Sequence, residues 1–221
     1  MLLVTCGLSG GWPTVDRVTD LVTGADGLAR CGWGASTPDY AVYHDEEWGR
    51  PLHGDDALYE RLTLEAFQSG LSWLTILRKR PAFRLAFDGF HLETVAGYGD
   101  AEVARLMADA GIVRNRAKID AAIANARAAL DLPDGLTALL WSFAPAARVA
   151  RPRSVAEVPA ITAESTAMAK ALRKRGFRFV GPTTAYALMQ ATGMVDDHLD
   201  GCHVRLDGRH VPPPTVAAVM G

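Results

Sequence analysis

Two potential metal ligands lie near the start of the chain, and two more lie near its end. Cys31 and His44 belong to the segments RCGW and AVYHDEEWG, and His198 and Cys202 belong to the segment DDHLDGC. Two thiolates and two imidazoles are the ligand set of a closed tetrahedral zinc site. Because four protein ligands leave no position for water, the pattern predicts a structural zinc ion that joins the N- and C-terminal parts of one domain.

Each of these residues also has a simpler interpretation when it is taken alone. A buried free cysteine behaves as a small apolar side chain, and a histidine is often an ordinary polar residue. Taken together with the sequence around them, the four residues favour a metal site. The chain has three cysteines in all, the third being Cys6, which is too few for a disulfide framework and favours a reducing, cytoplasmic compartment.

Length and composition are those of an ordinary globular protein. The chain has 221 residues, of which 49% are hydrophobic and 22% charged, enough for one substantial core or two small ones. A net charge of -2 does not exclude a nucleic-acid partner, because binding depends on the local field. No segment is long and apolar enough to cross a bilayer, so no membrane association is expected. Residues 1–29 and 204–221 are expected to be a loosely ordered extension and tail around a domain of residues 30–203.

The hydrophobic periodicity predicts an all-α fold. The segment ALYERLTLEAFQSG is predicted to be a helix that Asp55 or Asp56 caps and that ends at Gly70. A second, short helix through WLTILRKR is expected to stop before Pro81. Further helices are predicted in AEVARLMADAG, NRAKIDAAIANARAAL and GLTALLWSF, followed by a connecting loop over residues 145–163.

The segment ESTAMAKALRKRGFRFVGPTTAYALMQATG predicts two helices joined by a tight hairpin. Gly176 suits the left-handed stop of the first helix, and Pro182 suits the first turn of the second. Residues 164–186 carry a local charge of +4, and free N–H groups at a helix start attract phosphate. The alternative is a solvated basic face. The coincidence of charge, glycines and helix start favours phosphate binding by the hairpin, Gly176, Phe177, Arg178, Phe179, Val180 and Gly181.

Aromatic residues crowd the first pair of metal ligands, and Trp73 follows Glu65 by eight positions. Flat aromatic faces stack on nucleobases and attract a cationic base more strongly. A carboxylate inside an apolar helix could accept hydrogen bonds from a base. Against this, tryptophans are usually core residues, and Glu65 could simply pair with Arg61. Spacing alone leaves the two interpretations open.

Seven motifs in order resemble the 3-methyladenine DNA glycosylase I family: RCGW, YHDEEWG, LTLEAFQSGLSW, DAGIVRNRAKI, LWSF, LRKRGFRFVGPTTAYALMQATG and VDDHLDGC. The resemblance extends from Arg30 to about His203. It implies a helix-hairpin-helix DNA glycosylase fold and the excision of N3-methyladenine from alkylated double-stranded DNA. A monomer is expected for an enzyme that slides along DNA.

The resemblance also implies a role for individual residues. Glu65 would hydrogen-bond the methylated adenine, Tyr43 would add a polar and stacking contact, and Trp73 would form the main stacking wall. Trp33 and Trp48 are placed around the same pocket. The GFRFVG turn corresponds to the DNA-anchoring hairpin, and the zinc ligands are Cys31, His44, His198 and Cys202.

Two positions near the hairpin bear on the reaction. The family typically has Asn where this chain has Asp196, and a partner role for His198 is favoured over a catalytic one. Lyase-type relatives carry a lysine just after the hairpin glycine, where this chain has Thr183, which predicts an enzyme that leaves the abasic site uncut. The rival hypotheses are a DNA-binding domain that senses lesions without cutting, and a zinc hydrolase with an open metal position.

Overall fold

The structure is a computed structural model that describes residues 20–146 and 150–206. It is mostly helical, with 55% helix, which confirms the predicted fold class in its general form. The helices within the described ranges are α1 (Pro38–Glu46), α2 (Asp55–Gln68), α3 (Trp73–Ala86), α4 (Leu92–Ala96), α5 (Asp100–Ala108), α6 (Arg116–Leu130), α7 (Gly135–Trp141), α8 (Ala163–Lys174) and α9 (Pro182–Ala191). Short 3-10 turns occupy Asp88–Phe90 and Val155–Glu157. None of the helices in these ranges combines the length and the apolar character needed to cross a membrane.

The sheet in the described ranges is a small antiparallel hairpin of β1 (Leu21–Thr23) and β2 (Ala29–Cys31). Leu21–Thr23, which lies within the predicted extension, pairs with Ala29–Cys31, the strand that carries Cys31. The Arg30 guanidinium anchors the hairpin by ion pairs with Asp26 and Asp45. Residues 1–19 and 207–221 lie outside the described residues, so most of the predicted extension and tail does too.

Helix α2 is the centre of the molecule and contacts α3, α6, α7 and α9. Its buried residues cover most of its circumference and include Leu58, Leu62, Phe67 and the charged residues Arg61 and Glu65. A helix that is buried on most sides has to hold its polar side chains in cavities or in ion pairs. The position of α2 therefore places Glu65 inside the protein.

The two aspartates predicted to cap α2 cap other helices instead. The N-cap of α2 is Gly54, and none of the side chains that the structure describes caps that end. Asp55 accepts hydrogen bonds from the N–H groups of Leu136 and Thr137 in the first turn of α7. Asp56 accepts from the N–H of Leu92, the first residue of α4. The prediction was wrong because a sequence window cannot show that a carboxylate serves a helix 80 residues away.

Helix α3 continues through Pro81 to Ala86, so the predicted stop before the proline is wrong. A proline inside a helix costs about 3 kcal/mol. Burial of residues beyond the proline offsets that cost. Phe83 is fully buried and packs its ring against Phe67, with 4.8 Å between the ring centroids. Burial of one phenylalanine side chain contributes about 2–3 kcal/mol.

The hairpin between α8 and α9 has the predicted geometry. Gly176 has a positive φ of 90° and ends the first helix, and Pro182 stands in the first turn of the second. Asn125 of α6 holds the turn by two hydrogen bonds to the backbone of Arg178, one accepted from its N–H at 2.7 Å and one donated to its carbonyl at 3.1 Å. The hairpin turn is thus attached to helix α6.

Candidate active site and metal centre

A cavity of about 320 Å³ opens between α1, α2, α3 and α9. This is a usual size for a small-molecule site, roughly 300–1,000 Å³. Its aromatic wall consists of Trp33, Tyr40, Tyr43, Trp48 and Trp73. Its polar residues are Glu65, Gln68, Gln190 and Asp197. The structure therefore brings all the residues predicted for the base pocket to one cavity, and adds Tyr40, Gln68, Gln190 and Asp197 to them.

The aromatic residues hold one another in place by edge and tilted contacts. The rings of Tyr43 and Trp73 lie 5.6 Å apart at an angle of 44°, and Trp33 makes an edge contact with Trp48 at 5.0 Å. Such pairs are favourable beyond their buried area. Among the described residues no acceptor faces the buried indole N–H of Trp73, so the wall also offers a hydrogen-bond donor.

Glu65 points from α2 into this cavity with only 6% of its surface exposed. Burial raises the pKa of its carboxyl group to about 7, and the charge of Arg61 opposes that rise. Within the described part of the chain, no group donates a hydrogen bond to the carboxylate. A buried carboxylate without a donor is costly, and a ligand that carries N–H groups or positive charge would relieve that cost.

Arg61 lies behind the aromatic wall and does not pair directly with Glu65. Its Nη1 donates a hydrogen bond to the hydroxyl of Tyr43 at 3.0 Å, and its Nη2 forms an ion pair with Glu47. Arg80 Nη1 binds the same carboxylate of Glu47 at 2.5 Å. The sequence left open a direct ion pair between Glu65 and Arg61. The structure limits their interaction to an electrostatic effect through space.

The predicted metal ligands from both ends of the chain meet beside the cavity. The donor atoms of Cys31, His44 and Cys202 all lie within 4.8 Å of one another, and Cys202 Sγ is 3.5 Å from His44 Nε2. The ring centroid of His198 lies 4.9 Å from that of His44. In the described ranges no partner faces the buried Nε2 of His198. A cluster of Cys and His that could hold a metal ion is therefore present.

Both histidines of this cluster use their other ring nitrogen for a carboxylate. His44 Nδ1 lies 2.7 Å from Asp45 Oδ1, and His198 Nδ1 lies 3.0 Å from Asp196 Oδ1. Arg151 binds the second oxygen of Asp196 at 2.8 Å. A carboxylate on one ring nitrogen fixes the imidazole so that the other nitrogen faces a metal. Asp196 contacts His198 as the sequence argument favoured.

The Cys/His cluster and the cavity share a wall. The ring of Trp48, which lines the cavity, makes an edge contact with His198, with 4.7 Å between their centroids. Cys31 and Leu199 also line the cavity. Displacement of the cluster would therefore move the aromatic wall.

The side chains of the hairpin face in two directions. Phe177 and Val180 are buried in the core, so only their backbone can reach a ligand. Arg178 and Phe179 are exposed, and Phe179 has a positive φ of 55°. No side chain caps the N-terminus of α9 at Gly181 within the described residues, which leaves N–H donors at that end for an anion.

Three of the residues that shape the site carried little signal in the sequence. Arg61 and Asn125 sit inside helical segments where the pattern indicates only a solvated charge and a routine polar residue. Asp197 accepts hydrogen bonds from Tyr186 and Gln190 of α9. The four-residue spacing of these two donors places them on one face of the helix but does not show which segment carries their acceptor. Pairing across distant segments was the missing information.

Fold and site together define a helical protein that can hold a flat, cationic or hydrogen-bond-donating ring against a carboxylate. The chain belongs to the methyladenine glycosylase family, whose model matches residues 33–205. It is 44% identical over 179 residues to DNA-3-methyladenine glycosylase 1 of Escherichia coli (strain K12), covering 79% of this chain and 96% of that protein.

Solved structures of the same family have a similar fold. A crystal structure of 3-methyladenine DNA glycosylase I (TAG) superposes with a TM-score of 0.76 at 41% identity, covering 80% of this chain and all of that one. The enzyme of the same name from Staphylococcus aureus, solved to explain its recognition of 3-methyladenine, has a TM-score of 0.74 at 33% identity, covering 78% of this chain and 94% of that one.

Proposed function

We propose that this protein is a monofunctional DNA glycosylase that hydrolyses the N-glycosidic bond of 3-methyladenine in alkylated DNA and so begins base excision repair. The observation that carries the proposal is the Glu65 carboxylate, buried without a hydrogen-bond donor from the described residues, in an aromatic cavity. The relatives named for this activity support it.

Methylation at N3 gives adenine a formal positive charge, so the base leaves its sugar as a neutral molecule and needs little acid catalysis. Recognition of the cation then supplies most of the selectivity. Glu65 provides a compensating negative charge and accepts hydrogen bonds from the base. Trp73 and Tyr43 contribute cation–π attraction, and Trp33 and Trp48 complete the wall. Water then attacks the oxocarbenium-like sugar.

The damaged nucleotide has to leave the base stack before it can enter the cavity, which costs a few kcal/mol and least for a damaged base. We assign the grip on the DNA backbone to a helix-hairpin-helix element of α8, α9 and the turn between them. Arg178, Phe179 and the backbone from Gly176 to Gly181 would contact the duplex. Their exposure and the free end of α9 support this assignment.

Zinc fits the Cys/His cluster by two tests. The donor atoms of Cys31, His44 and Cys202 lie within 4.8 Å of one another, and two thiols with imidazole are donors that zinc prefers. The His198 ring lies beside that of His44, and its buried Nε2 has no partner among the described residues. We propose that Cys31, His44, His198 and Cys202 hold one zinc ion, which would tie the chain ends together and take no part in the chemistry. Asp45 and Asp196 would orient the histidines.

The reaction is expected to stop at the abasic site. Lyase chemistry requires an amine nucleophile, and position 183 after the hairpin is a threonine. Asp196 is engaged by His198 and Arg151, which supports an orienting role for it. We further propose that residues 30–203 form the glycosylase domain and that the protein acts as a cytoplasmic monomer.

A base-release assay tests the proposal. The protein is incubated with duplex DNA that carries N3-methyladenine, and free base and strand breaks are measured separately. Release of 3-methyladenine without strand cleavage is the expected result. Tight binding to methylated DNA without base release would favour a lesion sensor. A water ligand in the metal-site spectrum would favour a zinc hydrolase.

A further inference from the structure

The hydroxyl of Tyr43 receives a hydrogen bond from a buried cation. Arg61 Nη1 lies 3.0 Å from the phenol oxygen, and a guanidinium has donors but no acceptor. The oxygen of Tyr43 must therefore accept this bond, so its own proton points elsewhere. Because Tyr43 lines the cavity, that proton is available to a molecule bound there.

Arg61 is itself held from behind. It is 6% exposed, its Nη2 pairs with Glu47, and Glu47 is held in turn by Arg80. Its guanidinium carbon lies 5.5 Å from the ring centroid of Tyr43 and 6.0 Å from that of Trp73. Burying such a charge is costly, and an apolar side chain could fill the space without that cost. The orientation of the guanidinium toward Tyr43 indicates a role in the cavity.

We propose that Arg61 is a positioning residue that makes the Tyr43 hydroxyl a hydrogen-bond donor toward the bound base. The inference rests on the proposed function. It gives the cavity a donor at Tyr43 near the acceptor oxygens of Glu65. That pair matches an adenine edge, which presents an amino donor beside a ring-nitrogen acceptor, whereas guanine presents two acceptors there.

Arg61 has a second effect, on the carboxylate. The charged and titratable groups that act on Glu65 or line the cavity with it are Arg61 on its own helix, Tyr40 and Tyr43 on α1, and Asp197 after α9. Arg61 opposes the rise in the pKa of Glu65 that burial causes. Loss of Arg61 should therefore move the acid limb of the excision profile to higher pH.

A double-mutant cycle tests the proposal. Single-turnover release of 3-methyladenine from methylated duplex DNA is measured for wild type, Arg61→Met, Tyr43→Phe and the double variant. Each single change should slow release about tenfold, the usual effect of one hydrogen bond from a charged donor. At a pH well above the acid limb, where Glu65 is ionised in every variant, the double variant should be no slower than the slower single variant, because Arg61 then acts only through Tyr43.

Arg80→Met is the matched control, since it removes a charge from Glu47 and leaves the bond to Tyr43 in place. It should slow release less than threefold and leave the acid limb where it is. The pH shift in Arg61→Met would not follow from a purely structural role. If Arg61→Met does not fold, as judged by circular dichroism, Arg61→Leu takes its place in the cycle, because it also removes both the donor and the charge.

The outcomes separate the inference from the proposed function. Wild-type rates in Arg61→Met, or effects of Arg61 and Tyr43 that multiply to about a hundredfold in the double variant, would overturn the inference and leave the glycosylase intact. Absence of base release by the wild type would overturn the proposed function and the inference with it.

Discussion

Replacement of Glu65 by glutamine removes a negative charge from the cavity while it keeps the shape of the side chain. We expect Glu65→Gln to slow the release of 3-methyladenine roughly a hundredfold, because a charge placed for the transition state is typically worth two to three orders of magnitude. The measurement is single-turnover base release at pH 8, with zinc content and circular dichroism as controls for the fold. Wild-type release by this variant would remove Glu65 from the mechanism.

The same substitution should stabilise the protein at alkaline pH. Burial raises the pKa of Glu65 from 4.5 to about 7, so the folded chain holds this proton more tightly than the unfolded chain does. The free energy of unfolding should therefore fall as the pH rises from 4.5 to 7 and then level off, a loss of up to about 3 kcal/mol from this group. Glu65→Gln lacks that loss.

Urea unfolding of both proteins at pH 5 and pH 8 measures the difference. The advantage of Glu65→Gln over the wild type should be small at pH 5 and larger at pH 8, while effects of other groups cancel in the comparison. A wild type that is the more stable protein at pH 8 would mean that the carboxylate has a compensating partner.

At the scale of elements, the hairpin between α8 and α9 depends on Asn125. Asn125→Ala removes both hydrogen bonds to the backbone of Arg178 and leaves that N–H and carbonyl without them. We expect a loss of about 2–3 kcal/mol in the free energy of unfolding and weaker binding to undamaged duplex DNA. Chemical denaturation and a fluorescence binding titration would measure the two effects.

Asn115 provides the matched control, since it caps the N-terminus of the same helix, α6, by accepting a hydrogen bond from the N–H of Lys118, ten residues before Asn125. Asn115→Ala should cost about 1 kcal/mol of stability and leave DNA affinity unchanged. Equal losses of affinity in both variants would show that general destabilisation, and not the hairpin, sets the binding.

The elements that could be predicted from the sequence are those whose causes are local. Gly176 and Pro182 mark the hairpin because the left-handed turn and the fixed φ of proline act within a few residues. Asp55 and Pro81 misled the prediction because the partners that decide their roles lie in α7 and in the aromatic core. Secondary structure that depends on distant contacts cannot be obtained from a local window.

For the site, the sequence indicated which residue types could form a pocket, and the family resemblance indicated that these particular residues lie in one pocket. Glu65 and Trp73 could be chosen as pocket residues, but their spacing alone left core packing equally open. The link from Arg61 to Tyr43 joins α2 to α1 and depends on the depth at which α2 is buried. No pattern of charges along α2 indicates which way a guanidinium points.

At the scale of the whole molecule, the Cys/His cluster connects the two ends of the chain and supports the cavity. Cys31 ends the second strand of the N-terminal β-hairpin, and Cys202 lies near the end of the described residues. Cys31 Sγ nevertheless accepts a hydrogen bond from the N–H of Leu199 at 3.3 Å. Trp48 touches His198 on one side and the cavity on the other. Folding of the ends and the shape of the pocket are therefore coupled.

This coupling would make the proposed zinc ion a determinant of stability first and of activity second. We expect the purified protein to hold one zinc ion per chain, with two sulfur and two nitrogen ligands and no water in its X-ray absorption spectrum. Removal of the ion by a chelator should lower the melting temperature by more than about 10 °C, because binding free energy in a closed site is folding free energy. Base release should decline in parallel with the folded fraction.

Two cysteine variants separate the metal from the general loss of a thiol. Cys202→Ser should lower the zinc content and the melting temperature together, since Cys202 is fully buried in the cluster. Cys6→Ser should leave both unchanged, because Cys6 is not part of the proposed ligand set. A metal-free protein that melts at the temperature of the zinc-loaded one would contradict the structural role, because the ligands would then be satisfied by one another. Full zinc content in Cys202→Ser would place the ion on other residues.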